Sequence, residues 1–205
     1  MPTFEERVAS LPLKSRTPRS WAASVLAEPL ALLSDHAFLE RKAASNAMEL
    51  LTRWPDEWSQ GWVEAITSIA RDETSHLAQV TRLLFSRGGQ LPRFHKNPYA
   101  HELRQLVRSG TTGDSLDRLL VSALIEARSC ERFAVLAATS QDPELAAFYK
   151  ALCSSELGHY KVFLKLAGKL AKKGAVEMRW QQMLGAEAAI LARQEPGPRI
   201  HSGPA

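Results

Sequence analysis

The chain has 205 residues, of which 45% are hydrophobic and 23% charged, with a formal net charge of +4 and a pI near 9.2. That length suits one domain with a sizeable core, and the composition excludes a low-complexity, collagen-like or disulfide-built protein, since two cysteines make no framework. No run approaches the roughly 18 apolar residues of a membrane span; with no charged-then-apolar leader, a reducing cytoplasm is the expected compartment, and the mild basicity permits a polyanionic partner without demanding one.

A segment containing proline and arginine opens the chain. The first strong helical pattern begins near Pro29, with Leu33, Ala37, Glu40, Ala44, Ala47 and Leu51 on one side. Trp54-Pro55 must end it, because proline disfavours helical geometry in the residue before it, and Pro55-Asp56 can open the next helix. That second helix is predicted to reach about Arg87, where Gly88-Gly89 stops it, with a stripe of Trp62, Ile66, Ile69, Glu73, His76, Val80 and Leu84. Residues 88–113 hold glycine, two prolines and a short amphipathic stretch at 101–107, too much for a tight turn. They read as a long crossover that leaves the second and third helices parallel, an up-down-down-up arrangement. The third helix is predicted after Asp114 as N-cap and on to about Thr139, with Leu119, Ser122, Glu126, Cys130, Phe133 and Ala137 on one face. Asp142-Pro143 reads as N-cap and first residue of a fourth helix, whose stripe includes Phe148, Leu152, Glu156, His159, Phe163 and Leu166. An additional C-terminal helix over 176–193 is placed outside the bundle. Residues 196–205, with three prolines and two glycines, are expected to be a disordered tail to a single all-α domain over 1–195.

Two Glu-x-x-His pairs, Glu73/His76 and Glu156/His159, follow lone glutamates, Glu40 and Glu126, by 33 and 30 positions. One helix, a turn and an antiparallel partner need about that spacing to bring two side chains level. Residues three apart share a helix face, so each hairpin offers two carboxylates and an imidazole, and the set is duplicated. Four carboxylates inside apolar stripes demand cations, and oxygen and imidazole donors suit iron or manganese. The pattern assigns Glu40, Glu73 and His76 mainly to one ion and Glu126, Glu156 and His159 mainly to the other, with Glu73 and Glu156 the better bridging candidates. The competing reading makes both histidines surface or capping residues and the glutamates solvated, which two halves would have to imitate by accident.

Four segments around these positions resemble one known family: residues 35–44 (DHAFLERKAA), 71–76 (RDETSH), 125–131 (IEARSCE) and 155–160 (SELGHY) look like the MiaE-type tRNA hydroxylases. These form a branch of the ferritin-like di-iron carboxylate proteins, and the likeness extends over about residues 20 to 195. The resemblance implies a ferritin-like four-helix bundle with two iron ions. It also implies a monooxygenase that uses dioxygen and electrons from an external donor, a ferredoxin-like or flavin reductase system. The substrate it implies is the isopentenyl side chain of 2-methylthio-isopentenyladenosine, next to the anticodon of certain tRNAs. Two other chemistries fit the same ligand set: oxidation of ferrous iron for storage or detoxification, and an oxygenase or peroxidase acting on a small molecule. A metal-free helical interaction module is the blandest alternative.

Other residues carry secondary expectations. Multicomponent monooxygenases of the same superfamily place Asp before Glu in both Glu-x-x-His motifs; here Asp72 fits and Ser155 does not. Asp72 is therefore expected to orient a ligand histidine by accepting its other ring proton, against a surface pairing with Arg71. His36, one turn before Glu40, is either a neighbour of the site or a hydrogen-bonded interior histidine, and Glu131 is rotated off the ligand face toward an arginine. Cys130 and Cys153 fall level on antiparallel helices, as core thiols or as a redox pair. Arg87, Arg93, His95, Lys96, Arg104 and Arg108 in and before the crossover are the candidate RNA contacts, and lysines 161, 165, 169, 172 and 173 form a second basic band. Trp54 and Trp58 are candidates either for stacking on a base or for a hydrophobic corner.

Overall fold

The computed structural model describes residues 4–204, and among them the chain is helical, with no strand. The helices are α1 (Phe4–Ala9), α2 (Arg19–Leu26), α3 (Pro29–Leu50), α4 (Ser59–Ser86), α5 (Pro98–Arg104), α6 (Asp114–Thr139), α7 (Pro143–Leu170) and α8 (Lys173–Ala192), with a 3-10 turn at Asp56–Trp58. The described residues fall into two compact units, one of residues 28–96 and 198–200 and one of residues 4–27, 97–197 and 201–204. No single helix among the described residues is long and apolar enough to cross a membrane.

In the first unit α3 and α4 form an antiparallel hairpin. The Trp62 indole donates to Leu50 O at 2.9 Å near the turn, while Glu40 and His76 lie level about three to four turns away. Trp62, Ile66, Ile69, Glu73, His76, Val80 and Leu84 are all buried, the stripe the periodicity defines. Full burial of a side chain such as Ile66 stabilises by roughly 1.5–3 kcal/mol, so an uninterrupted row fixes the rotation of α4 about its axis. The helix starts at Ser59, later than the proline-based expectation, because the 3-10 turn takes up Asp56–Trp58. It ends in a Schellman arrangement: Gly88 N–H donates to Phe85 O and Gly89 N–H to Leu84 O, with Gly88 at φ +79°, a conformation a side chain would strain. The loop that follows returns along α3 and is held there by His95.

In the second unit α6 and α7 form the other antiparallel hairpin, with Cys130 level with Cys153 and Phe133 against Tyr149. Asp142 caps α7 as predicted, its carboxylate accepting from Glu144 N–H and Leu145 N–H. Asp114 differs from the prediction: it is the first helical residue, after Gly113 at the cap position, and its carboxylate is taken up by Arg118. α6 is buried on nearly every side because α7, α2, α8, α5 and α1 all pack on it. α8 runs in the same direction as α6, since Arg179 pairs with Asp117 and Glu187 with Arg128.

The C-terminal segment is ordered, contrary to the disorder its prolines and glycines suggest. The Trp21 indole donates to Ser202 Oγ at 2.9 Å, Arg132 donates to Ser202 O at 2.7 Å, and the His201 ring stacks on Tyr99. Gly203 lies so close to the Gln194 carbonyl that a Cβ could not be accommodated, and its N–H donates to Glu195 O. Composition suggests a free tail, but specific donors and one close backbone approach outweigh it.

Candidate metal centre

Each hairpin brings its own three predicted ligands together. In the α3–α4 unit Glu40, Glu73 and His76 are all buried, and each offers a ligand atom within 4.8 Å of the others. His76 Nδ1 lies 3.5 Å from Glu40 Oε2 and 3.7 Å from Glu73 Oε2. In the α6–α7 unit Glu126, Glu156 and His159 are buried with ligand atoms inside the same 4.8 Å limit, and His159 Nδ1 is 3.6 Å from Glu156 Oε2. Separations of this size are long for hydrogen bonds. They match donor-to-donor edges around one ion, because metal–nitrogen and metal–oxygen bonds of about 2.0–2.2 Å put donors on one metal roughly 3 to 4.4 Å apart. The donor chemistry agrees: carboxylate oxygen and imidazole nitrogen, with no thiolate among them, suit iron or manganese. Each triad is thus a buried Glu/His cluster compatible with iron.

The helix geometry explains why these residues converge. Glu73/His76 and Glu156/His159 are i, i+3 pairs on one face, and the antiparallel partner presents its lone glutamate at the same level. His36 Nε2 lies 2.6 Å from Glu40 Oε1, one turn along α3, with no exposed surface. The imidazole therefore holds one carboxylate oxygen of Glu40 while the other faces His76, which makes His36 both the interior histidine and a neighbour of the site.

Asp72 makes the surface pairing with Arg71. Its side chain is 41% exposed and lies 3.6 Å from Arg71 Nε, because the residue before a buried Glu73 is turned about 100° off the buried face. Asp35 holds a further histidine, its Oδ1 lying 2.6 Å from His95 Nε2. Lys42 Nζ can only donate to His95 Nδ1, at 2.9 Å, so the Nε2 proton is directed to Asp35. Asp35 Oδ2 accepts from Ile200 N–H at 2.8 Å. An aspartate inside the apolar face of α3 was the available sequence signal for this contact.

The predicted RNA-contact residues separate. Arg93, Lys96 and Arg104 are exposed, and Arg87 is half-buried. Arg108 is committed elsewhere: its guanidinium forms a two-toothed ion pair with the buried Asp117, and its backbone N–H donates to the same carboxylate. Burial would raise the Asp117 pKa, but hydrogen bonds from Arg108 and Arg179 outweigh it and hold the carboxyl below the usual range. The contact is a staple between the end of the crossover, α6 and α8, invisible in a sequence where Arg108 is one more loop cation.

Behind Glu126 the second unit holds a buried polar cluster. Arg128 donates to both oxygens of Glu187 and to Glu131 Oε2, and Tyr99 donates to Glu187 Oε1. Glu131 also accepts from Thr17 N–H and Oγ1, so it is turned from the ligand face toward an arginine, as its spacing indicates. Burial alone would lower the Arg128 pKa; hydrogen bonds and the charge of Glu187 raise it instead. Arg132, stacked over the Trp21 ring at 4.3 Å, is lowered to about 10 by burial and by the Arg128 charge. Cys130 and Cys153 are free, fully buried thiols with sulfurs 2.8 Å apart, and the Cys130 pKa is pushed far up, first by the contact with Cys153 and then by burial.

The family model described as tRNA-(MS[2]IO[6]A)-hydroxylase (MiaE) matches residues 6–202. The chain belongs to this family. Among MiaE relatives, the tRNA 2-(methylsulfanyl)-N(6)-isopentenyladenosine(37) hydroxylase of Pseudomonas putida is 37% identical over 91% of this chain and 90% of its own length. The enzyme of the same name from Salmonella typhimurium is 29% identical over 82% of this chain, which spans 61% of that relative. A solved structure, protein 43 with aldehyde deformylating oxygenase activity from Synechococcus, superposes with a TM-score of 0.87 at 34% identity, covering 94% of this chain and 96% of that one. The chain has a ferritin-like helical fold.

Proposed function

We propose that this chain is a non-haem di-iron monooxygenase that hydroxylates the isopentenyl group of 2-methylthio-isopentenyladenosine in tRNA. The observation that carries the reading is the family match across residues 6–202, with both Glu/Glu-x-x-His triads of the chain buried and assembled. Glu40, Glu73 and His76 would hold one iron ion, and Glu126, Glu156 and His159 the other. Bound iron supplies the activation of dioxygen, a redox step that no side chain performs.

The chain's own groups perform binding, orientation and exclusion of water. His36 fixes Glu40 so that the carboxylate presents one oxygen to the ligand face. Leu33, Ile66, Ile69 and Val80 in one unit, and Leu119, Leu152, Phe163 and Leu166 in the other, are buried on the same helices as the triads, and this apolar packing would keep bulk water from the metal site. An isopentenyl tail is apolar, so such walls suit it, while the base that carries it stays nearer the surface. Two electrons must come from an external donor, for which a ferredoxin-like or flavin reductase system is the proposed partner, and the cytoplasm is the proposed compartment. Expression in cells whose tRNA carries the isopentenyl nucleoside but not its hydroxylated form is the test. The hydroxylated nucleoside should appear in digests of that tRNA, and its absence with soluble, iron-loaded protein would refute the proposal.

The likeness to the Synechococcus protein supports a second reading, oxygen-dependent deformylation of an aldehyde. Oxygen uptake that depends on an added aldehyde and not on isopentenylated tRNA would favour it.

A further inference from the structure

Residues 74–96 contain Arg82, Arg87, Arg93 and Lys96 and no Asp or Glu. The same stretch holds Phe85, Leu91 and Phe94, three of the chain's large apolar side chains that face solvent. Phe94 is 89% exposed and stands between the exposed Arg93 and Lys96. Single exposed apolar residues are ordinary. An exposed aromatic ring flanked by cations, beside an acid-free helix end, has instead the composition of a platform for unpaired bases, where the ring stacks and the cations meet phosphates.

The loop that carries Phe94 is fixed from beneath. His95 turns inward, pairs with Asp35 and Lys42, and lies flat on Phe38 at 4.8 Å with an interplanar angle of 3°. Arg41 covers the Phe38 ring at 5.3 Å. With His95 turned in, its two neighbours are left outward. The anchoring residues also set the platform's position. Asp35, Phe38 and Lys42 lie within five residues of Glu40 on α3, so the loop is within about 8 Å of Glu40 along the helix axis. At about 100° per residue, however, they occupy the face of α3 opposite Glu40. A base on Phe94 is therefore a neighbour of the reacting nucleotide and not that nucleotide itself.

We propose that Phe94, on a loop clamped by His95, stacks on an unpaired base of the tRNA loop that carries the target adenosine, with Arg93 and Lys96 on the flanking phosphates. The inference rests on the tRNA reading above and adds the surface that recognises the RNA. Phe94 and its two cations recognise a single-stranded loop without reading its sequence, and His95 is a positioning residue.

The test is direct binding of the full-length iron-loaded protein to isopentenylated tRNA, followed by fluorescence anisotropy over a range of salt. Phe94→Ala should weaken binding about tenfold, the effect of losing one base–aromatic stack, and Phe94→Trp should restore it. Arg93→Ala with Lys96→Ala should flatten the dependence of log affinity on log salt by about one to two, since each phosphate contact contributes roughly 0.7–0.9. Iron content and helical circular dichroism should match the parent in all three variants, because the substituted side chains are exposed. Unchanged affinity and salt slope, in a protein that binds and hydroxylates tRNA, would overturn this inference and leave the functional reading intact. A parent protein that neither binds nor hydroxylates tRNA would overturn both. Unchanged tRNA affinity in Phe94→Ala with slower reduction of the iron by a reductase would assign the patch to an electron-donor protein and also overturn the inference.

Discussion

Glu73→Gln should change stability in opposite directions with and without metal. Glu73 is 1% exposed, one helical turn before His76 and beside Glu40, so in metal-free protein its carboxylate is a buried acid near another buried acid. The amide keeps the shape and removes the charge, which should stabilise the metal-free protein by about 1–3 kcal/mol, the scale of desolvating a buried polar group. For a chain of this size each kcal/mol moves the melting temperature by about 2–4 °C, so calorimetry on chelator-treated protein should show a rise of several degrees. With iron present the order should reverse. Metal at a hundred times its Kd adds about 2.7 kcal/mol to the parent, and loss of an anionic ligand forfeits most of that in the variant. Iron content should fall as well. A Gln variant that melts lower in the metal-free state, or binds iron as tightly as the parent, would refute the reading of Glu73 as a ligand held at a cost in stability.

Arg128→Met strands Glu187 and Glu131 without their shared cation and should cost about 3–5 kcal/mol, read from the urea midpoint; a loss below about 1 kcal/mol would show that the cluster contributes little. Cys130 and Cys153 should resist alkylation in the native protein and react only on unfolding, since both are buried and the Cys130 thiol is held protonated; fast labelling of either would contradict their placement. Asp117 has a depressed folded pKa, so its ion pairs contribute stability above the unfolded carboxylate value near 3.9 and lose it as pH falls further. The stability gap between the parent and Asp117→Asn should accordingly be full at pH 7 and narrow below about pH 4, and a gap independent of pH would remove the electrostatic explanation. Truncation after Gln194 removes Ser202 from Trp21 and Arg132 and should lower the melting temperature by several degrees, whereas a free tail would leave it unchanged.

Periodicity and punctuation made most of the helical frame legible. Pro55, Gly88 and the Asp142-Pro143 pair mark boundaries by local backbone chemistry that tertiary structure does not override, and the α3, α6 and α7 spans follow the apolar stripes closely. The convergence of the two buried Glu/His clusters was legible for a related reason: i, i+3 spacing within a stripe is a local property, and a polar residue inside an apolar row is conspicuous. What escaped depends on long-range partners. Nothing local distinguishes Arg108, bound to Asp117, from Arg93, which faces solvent, or shows that Asp35 receives His95 from sixty residues away. Glu187 looks like one more glutamate on a helix until Arg128 is packed against it. The ordered C-terminus and the short helices α1 and α2 carry weak propensity signals and owe their structure to Trp21, Arg132 and the surfaces they meet.

The central claim is tested most directly by incubating isopentenylated tRNA with iron-loaded protein, a reductase system and isotopically labelled dioxygen, and weighing the released nucleosides. The account predicts that the methylthio-isopentenyl nucleoside gains one labelled oxygen atom, and that Glu73→Ala or His159→Ala abolishes the gain while the helical fold persists. Oxygen consumption with no labelled nucleoside, or wild-type incorporation by either variant, would contradict it.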